Sequence, residues 1–316
     1  MRTISNTKVA VIGGAGFLGS HLVNYLADER NCEVLVIDNL IVGQKKWVNP
    51  KARFIWHDIT QSEGTLRKIF EEYGIEYVFN YAAEPYIPVS FKRPLNVFDI
   101  NARAALMVLN AAQEAGVKGI LQVSSAEIYG QSINGKIKET DQAIPHSTYG
   151  ASKLAIDALV QARWREARTP AIALRQFNCV GERETHEYVI PIIIEQVSSG
   201  EVKLGNNSFR DFQYAGDAVR MAVELLEKGE FGEVYNMGSE DGIQIYDLAT
   251  TIGELMGKEI KVVEDESRKR PWEIWHLQSD NSKLYSVISY RPQVPLREAL
   301  KRTIADYYAN GFVFRT

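Results

Sequence analysis

Through the first half of the chain, short unbroken apolar runs alternate with apolar stripes at helical spacing. Lys8-Val-Ala-Val-Ile12 is β-branched, apolar and bounded by glycine, the pattern of a strand covered on both faces. An amphipathic helix is predicted from about residue 20 to 29, and Glu33-Val-Leu-Val-Ile-Asp38 is a second strand ending in a carboxylate. Strands follow at 53–57, 77–80, 119–124 and 171–177, with helices over 62–73, 95–115 and 149–168 between them. Strand-helix alternation of this length predicts an α/β parallel sheet with helices on both faces. From Asn178 the elements become shorter and irregular, which predicts a smaller α+β domain over 178–316 following a first domain over 1–177. Glu233-Val-Tyr-Asn-Met237 reads as a strand returning to the main sheet, so a segment near 211–237 rejoins the first domain.

The connection after the first strand carries chemistry. Gly13-Gly-Ala-Gly-Phe-Leu-Gly19 stands between strand and helix. Glycines there let the backbone turn tightly and approach a pyrophosphate held at a helix N-terminus. Asp38 lies 19 positions after Gly19, where an acid accepts hydrogen bonds from a ribose diol and repels a 2′-phosphate. This makes the domain a Rossmann-type, doubly wound dinucleotide-binding unit and the cofactor NAD rather than NADP. Asp58, at the end of the third strand, can cap the next helix or bind an adenine amino group. Ala82 and Ala83, just past the fourth strand, leave room for a ligand at the carboxyl edge of the sheet.

A second constellation lies in Ser124-Ser-Ala-Glu-Ile-Tyr-Gly130 and Tyr149-Gly-Ala-Ser-Lys153. Tyr149 and Lys153 are four apart, one helical turn on the same face. An ammonium beside a phenol favours its anion, so the Tyr149 pKa is expected to fall toward working pH. Ser125 can hydrogen-bond a substrate oxygen. The set suits proton removal from an alcohol, with NAD accepting the hydride.

Composition narrows the rest. The 316 residues are 45% hydrophobic and 24% charged, ample for a large core, and the formal charge of -4 without a Lys/Arg block argues against nucleic acid. Cys32 and Cys179 read as reduced thiols of a cytoplasmic protein. Met1 to Thr7 is polar and leads directly into a strand, which predicts no signal peptide. The apolar run 189–194 is too short to span a bilayer. His57, His146, His186 and His276 lack metal-ligand spacing, so no metal is expected. Small residues along the 95–115 and 149–168 helices offer a homodimer face.

Taken together, these motifs, with Asp38-Asn-Leu40 and Phe209-Arg-Asp-Phe-Gln-Tyr214 followed by Asp217, resemble the extended short-chain dehydrogenases/reductases of the NAD-dependent epimerase/dehydratase family, which act on nucleotide-diphosphate sugars. The chain departs from many relatives at Ile12, where threonine is common, and at Tyr81, where histidine is frequent. The resemblance implies that Tyr149 is the general base, that Lys153 holds the nicotinamide ribose, and that Ser125 binds the reacting oxygen. It implies cofactor contacts from Gly13, Gly16, Phe17, Leu18 and Gly19. Asp38 with Asn39, Asp58 with Ile59, Ala82 with Ala83, Ser124 and Asn101 complete the cofactor set, Asn101 also orienting the loop of the catalytic tyrosine. Glu84 and Asn178, with Arg210 and Arg270, would hold the sugar nucleotide. Arg183 would touch phosphate or simply face solvent.

The implied first step is oxidation at the sugar C4. Glu127 then separates the outcomes. With Ala126 in place of a polar neighbour, 4-epimerisation through a transient 4-keto sugar is the main expectation. A 4,6- or 5,6-dehydratase or a decarboxylase using Glu127 is the alternative, a 4-dehydrogenase the third, and an NAD-binding regulatory protein the non-enzymatic one.

Overall fold

The structure, a computed structural model, describes residues 2–130, 135–185, 187–270 and 272–312. Residues 133 and 134 of the polar loop before Tyr149, and His186, lie outside the described residues, as do the first residue and the last four. The strands in chain order are β1 (Lys8–Ile12), β2 (Glu33–Asp38), β3 (Arg53–Trp56), β4 (Tyr77–Asn80), β5 (Gly119–Ser125), β6 (Ala171–Gln176) and β7 (Asn178–Val180). They continue with β8 (Glu201–Leu204), β9 (Phe209–Tyr214), β10 (Val234–Met237), β11 (Gly242–Gln244), β12 (Lys261–Glu264) and β13 (His276–Leu277).

Seven of them form one parallel sheet in the order β10-β6-β5-β4-β1-β2-β3. The chain proceeds outward from β1 through β2 and β3, then restarts on the other side of β1 with β4. The crevice at that reversal, outside the carboxyl ends of β1 and β4, is where open α/β sheets bind ligands. Each sheet face is covered by an apolar layer. One face packs Val9, Val11, Val34 and Val36 against Leu22 and Leu26 and against Met221 to Leu226 of the Ala215–Lys228 helix. The other packs Ala10, Ile12, Leu35 and Ile37 against Leu66, Phe70, Val108 and Val160. Alternate residues of one strand thus serve opposite layers, which is why residues 9–12 of β1 and 34–37 of β2 are apolar without interruption.

The 95–115 helix is realised as one rod, Pro94–Phe98, Asp99–Arg103 and Ala104–Glu114, whose middle turn is a π-turn. Such wide turns often accompany functional positions, and this one carries Asn101. The helix Glu63–Tyr73 is capped by Ser62, whose Oγ accepts from the Thr65 N–H at 3.2 Å. Asp58 is therefore not its cap.

Beyond β6 the chain builds a smaller unit. β7, β11 and β13 pair with β9, and β12 pairs with β8. Its own apolar cluster joins Ile190, Ile193, Leu248, Ile252 and Leu300. The return to the main sheet starts at Ala215, since β9 belongs to the small sheet, and ends with β10 against β6. Among the described residues no helix is long and apolar enough to cross a membrane.

Asp211 on β9 pins this unit together. Its buried carboxylate accepts from the Ser239 N–H and Oγ–H at 2.7 and 2.6 Å, the Glu240 N–H at 3.1 Å, and the Ser279 N–H and Oγ–H at 3.0 and 2.6 Å. Replacing one acceptor oxygen by an amide leaves buried donors without partners, at about 2–4 kcal/mol. Asp211→Asn is expected to lower unfolding stability by that amount in urea denaturation; an unchanged midpoint would show that these loops are held by other contacts.

Candidate active site

A cleft of about 780 Å³ opens along the carboxyl edge of the main sheet, walled on its far side by the smaller unit. At its floor, Gly13 adopts φ +76°, and a Cβ there would lie 2.7 Å from the Ala82 N. A Cβ on Gly19 would collide with the Gly13 carbonyl. These two glycines let the loop, the helix start at Phe17 and the β4 edge converge. Asp38 is buried beside them. Its two oxygens accept from the Ala15 N–H at 3.0 Å and the Leu40 N–H at 2.8 Å, and burial raises its pKa. Each oxygen retains a lone pair for a diol. Asn39 donates to Asp58 at 3.1 Å, so β2 and β3 present one linked polar edge. The cradle's shape and its acceptor set fit an adenosine diphosphate moiety.

The Ser125, Tyr149 and Lys153 set stands over β5 and β6. The helix Thr148–Ala167 begins at Ser147, whose Oγ caps the Gly150 N–H at 3.0 Å, and it brings Tyr149 and Lys153 into the cleft. Ser125 hydrogen-bonds the Tyr149 phenol. The Lys153 ammonium donates to the Val123 carbonyl at 2.9 Å and lies 5.9 Å from the Tyr149 ring centre. Ser124 Oγ donates to the Lys153 carbonyl at 3.0 Å. Deeper, Asp157 on the same helix is buried and takes the Arg175 Nε at 2.8 Å. Arg175 continues to the Tyr129 hydroxyl at 2.5 Å, which donates to Asn236 on β10 at 2.6 Å.

The Tyr149 phenol is not shifted in the direction the spacing predicts. Burial pushes its pKa up, the carboxylates of Glu127 and Glu84 push it further, and the Ser125 hydrogen bond opposes them. Helical spacing fixes that Lys153 is near; it does not fix how deeply the pair is enclosed. Lys153 itself is pulled down to about 8 by burial, against the attraction of Asp157.

Asn101 does not line the cleft. It lies beneath it with its amide fully engaged: Oδ1 accepts from the Glu84 N–H at 2.8 Å, and Nδ2 donates to the Glu84 carbonyl and to Ser152 Oγ, both at 3.1 Å. Ser152 in turn donates to the Tyr149 carbonyl at 2.7 Å. Asn101 thus ties the segment after β4 to the tyrosine's helix. The other cofactor and substrate residues expected from sequence all line the cleft, Ile59, Ala83, Glu84, Asn178 and Arg270 included. Arg183 does not; its backbone N–H is taken by Asp306 at 2.8 Å.

In the outer half, the Arg210 guanidinium pairs with Glu273 at 2.7 Å, and Glu273 also accepts from Asn206 at 2.6 Å. Glu273 is not among the site residues expected from sequence, although it lies three positions after Arg270. Glu127 faces the cleft, its pKa raised by burial and moderated by Arg270 and Arg210. Among the described residues no three His, Cys, Asp or Glu side chains are grouped to hold a metal ion.

The lowered Lys153 pKa has a consequence for stability. Below pH 8 both folded and unfolded chains carry the proton, and the full cost of burying the charge, about 3 kcal/mol for a drop from 10.5 to about 8, is present. Between pH 8 and 10.5 only the unfolded chain keeps the proton, so that cost fades as pH rises. Lys153→Met is expected to be more stable than the parent at pH 7 by up to about 3 kcal/mol, with the gain shrinking toward pH 10.5. Urea titrations at both ends of that range measure it; a pH-independent difference would contradict the assignment.

The family described as "NAD dependent epimerase/dehydratase family" matches residues 9–238. The dTDP-D-glucose 4,6-dehydratase of Mus musculus is 30% identical over 318 residues, spanning 96% of this chain and 89% of that protein. The UDP-glucose 4-epimerase of Thermotoga maritima, solved with UDP-glucose, superimposes with a TM-score of 0.90 at 29% identity, over 96% of this chain and 99% of that one. The UDP-glucose 4-epimerase of Thermus thermophilus, solved with NAD, gives 0.88 at 28% identity over 96% and 99%. With a nucleotide cradle, a Ser-Tyr-Lys centre and these similarities over nearly its full length, the chain belongs to the NAD-dependent epimerase/dehydratase family and is an NAD-dependent enzyme.

Proposed function

We propose that the chain is a nucleotide-sugar 4-epimerase. The observation that carries this reading is the wall beside Ser125: Ala126 is buried and apolar, so Glu127 has no neighbouring proton donor in the cleft from that position. Epimerisation needs only the Ser125, Tyr149 and Lys153 set, whereas elimination also needs an acid for the departing hydroxyl.

When bound, NAD supplies the acceptor and later the donor of the C4 hydride. Gly13 to Gly19, Asp38 with Asn39, and Asp58 with Ile59 would hold its adenosine diphosphate half, Ala82, Ala83 and Ser124 would flank it, and Lys153 would hold the nicotinamide ribose. Tyr149 takes the C4 hydroxyl proton at its phenolic oxygen and returns it to that same C4 oxygen after the sugar has turned its other face toward the cofactor, while Ser125 hydrogen-bonds that oxygen. Arg210 and Arg270 would grip the diphosphate, a geometry guanidinium groups suit, with Asn178 and Glu84 beside the sugar. That grip lets the sugar turn while the nucleotide stays anchored. UDP-glucose, the ligand of the Thermotoga relative, is the first substrate to try.

A dehydratase is the second reading, favoured by Glu127 itself, a half-buried acid with a raised pKa facing the same cleft. Incubating the protein and NAD with UDP-, dTDP-, GDP- and CDP-sugars separates the two by product mass and NMR. A 4-epimer of unchanged mass is expected; a product lighter by one water would replace the first reading with the second. Tyr149→Phe should lose about 100-fold or more in turnover, and Glu127→Gln should stay within about tenfold of the parent, where loss of a general base costs at least about 100-fold.

The active unit is a homodimer and cytoplasmic, the latter on the two free thiols. Phe91, Leu95 and Phe98 are 46, 82 and 43% exposed beside the Thr148–Ala167 helix, an apolar face that a second copy would cover. Leu95→Glu should shift the mass measured by light scattering from dimer to monomer; a parent protein that is already monomeric would refute the dimer.

A further inference from the structure

One acid in the cleft takes no part in the scheme above. Glu184 follows β7, lines the cleft and is only 6% exposed. One of its carboxylate oxygens is enclosed with no hydrogen-bond partner among the described residues. Among those residues no cation offsets its burial, which alone pushes its pKa well up. A buried carboxylate without a counter-charge is costly enough to be neutral instead.

Its neighbours place it. The Cys179 thiol on β7, whose pKa is pushed up by burial, feels the charges of Glu184 and of Asp211 on β9. Cys179 in turn acts on Tyr81, just past β4, whose hydroxyl is likewise enclosed without a partner among the described residues. Tyr81 and Cys179 follow the ends of β4 and β6, on the same side of the glycine loop as Ser125, Tyr149 and Lys153. Asp38 and Asp58 lie on the opposite, adenosine side. Glu184 therefore backs the half of the cleft where the nicotinamide belongs.

We propose that Glu184 is an exchangeable counter-charge for the nicotinamide end of the cofactor: a neutral acid when that end is uncharged, a carboxylate when it is cationic. This rests on the family's use of NAD and not on which sugar is turned over. Its O–H bond is the only bond that changes, and its proton leaves to solvent and returns from it; the hydride and the substrate proton move as already described. A cation brought into a low-dielectric cleft favours the anion beside it, and the linkage is reciprocal. Binding of NAD+ must then release a proton and strengthen as pH rises, while binding of NADH does neither. The device would favour the oxidised resting cofactor without a permanent buried charge.

The test is calorimetric titration of the full-length protein with NAD+ and with NADH, at several pH values and in buffers of different ionisation heat. Release approaching one proton is expected with NAD+ and none with NADH, and NAD+ affinity should rise several-fold per pH unit, the limit being about tenfold for one proton. Glu184→Gln should abolish both effects while binding NADH within about threefold of the parent. Tyr149→Phe should retain them, which separates Glu184 from the Tyr149 phenol. Release that is absent from the parent, that persists in Glu184→Gln, or that vanishes only in Tyr149→Phe would overturn the proposal. Should Glu184→Gln fail to fold, difference infrared spectra of the parent decide: the protonated-carboxyl stretch must diminish on adding NAD+ and not on adding NADH, and an unchanged band rejects the assignment.

Discussion

The arrangement depends on one buried anion, Asp157, shared by two buried cations. It holds the Arg175 guanidinium at 2.8 Å and acts through space on the Lys153 ammonium one turn away. Two cations over the ends of β5 and β6 would be hard to enclose without it, because burying charge costs more than one surface contact returns. Asp157 sits on the helix that carries Tyr149 and Lys153, Arg175 on β6, Tyr129 in the turn after β5 and Asn236 on β10. The chain of contacts therefore fixes the helix of Tyr149 and Lys153 to three separate strands' edges, through a network that does not line the cleft.

Asn101 provides the complementary restraint from the other side. Its amide is spent on the Glu84 backbone and on Ser152, so the β4 edge and the tyrosine's helix cannot drift apart without leaving a buried amide unsatisfied. Asn101 is buried within the π-turn Asp99–Arg103. An ordinary helical turn would rotate the following residues relative to it, which gives a physical reason for an otherwise less favourable backbone.

Much of this was legible in the chain because it depends on local periodicity. The β1 run, the glycine loop and Asp38 announce the cradle, since strand burial and glycine conformations are properties of a few consecutive residues. The four-residue spacing of Tyr149 and Lys153 and the return of β10 were readable for the same reason. What could not be read depends on distant partners. Arg210 and Glu273 are 63 positions apart, and no spacing rule links them. The Asn101 position was suggested by resemblance, but its contact with backbone rather than cofactor follows from the packing of two helices. The direction of the Tyr149 shift was misjudged because helical spacing reports one neighbour, while the burial and the carboxylates of Glu127 and Glu84 come from the whole cleft.

That last point unites the electrostatics of the site. The protein alone surrounds Tyr149 with conditions that keep it a phenol: enclosure, two acids and a lysine whose own charge is weakened by burial. Enclosure pushes the Glu184 pKa up as well. Both are enclosed acids that line the same cleft. A cation entering that cleft lowers the cost of ionising a neighbouring acid, and of the two the carboxyl, the stronger acid, yields its proton at the lower pH.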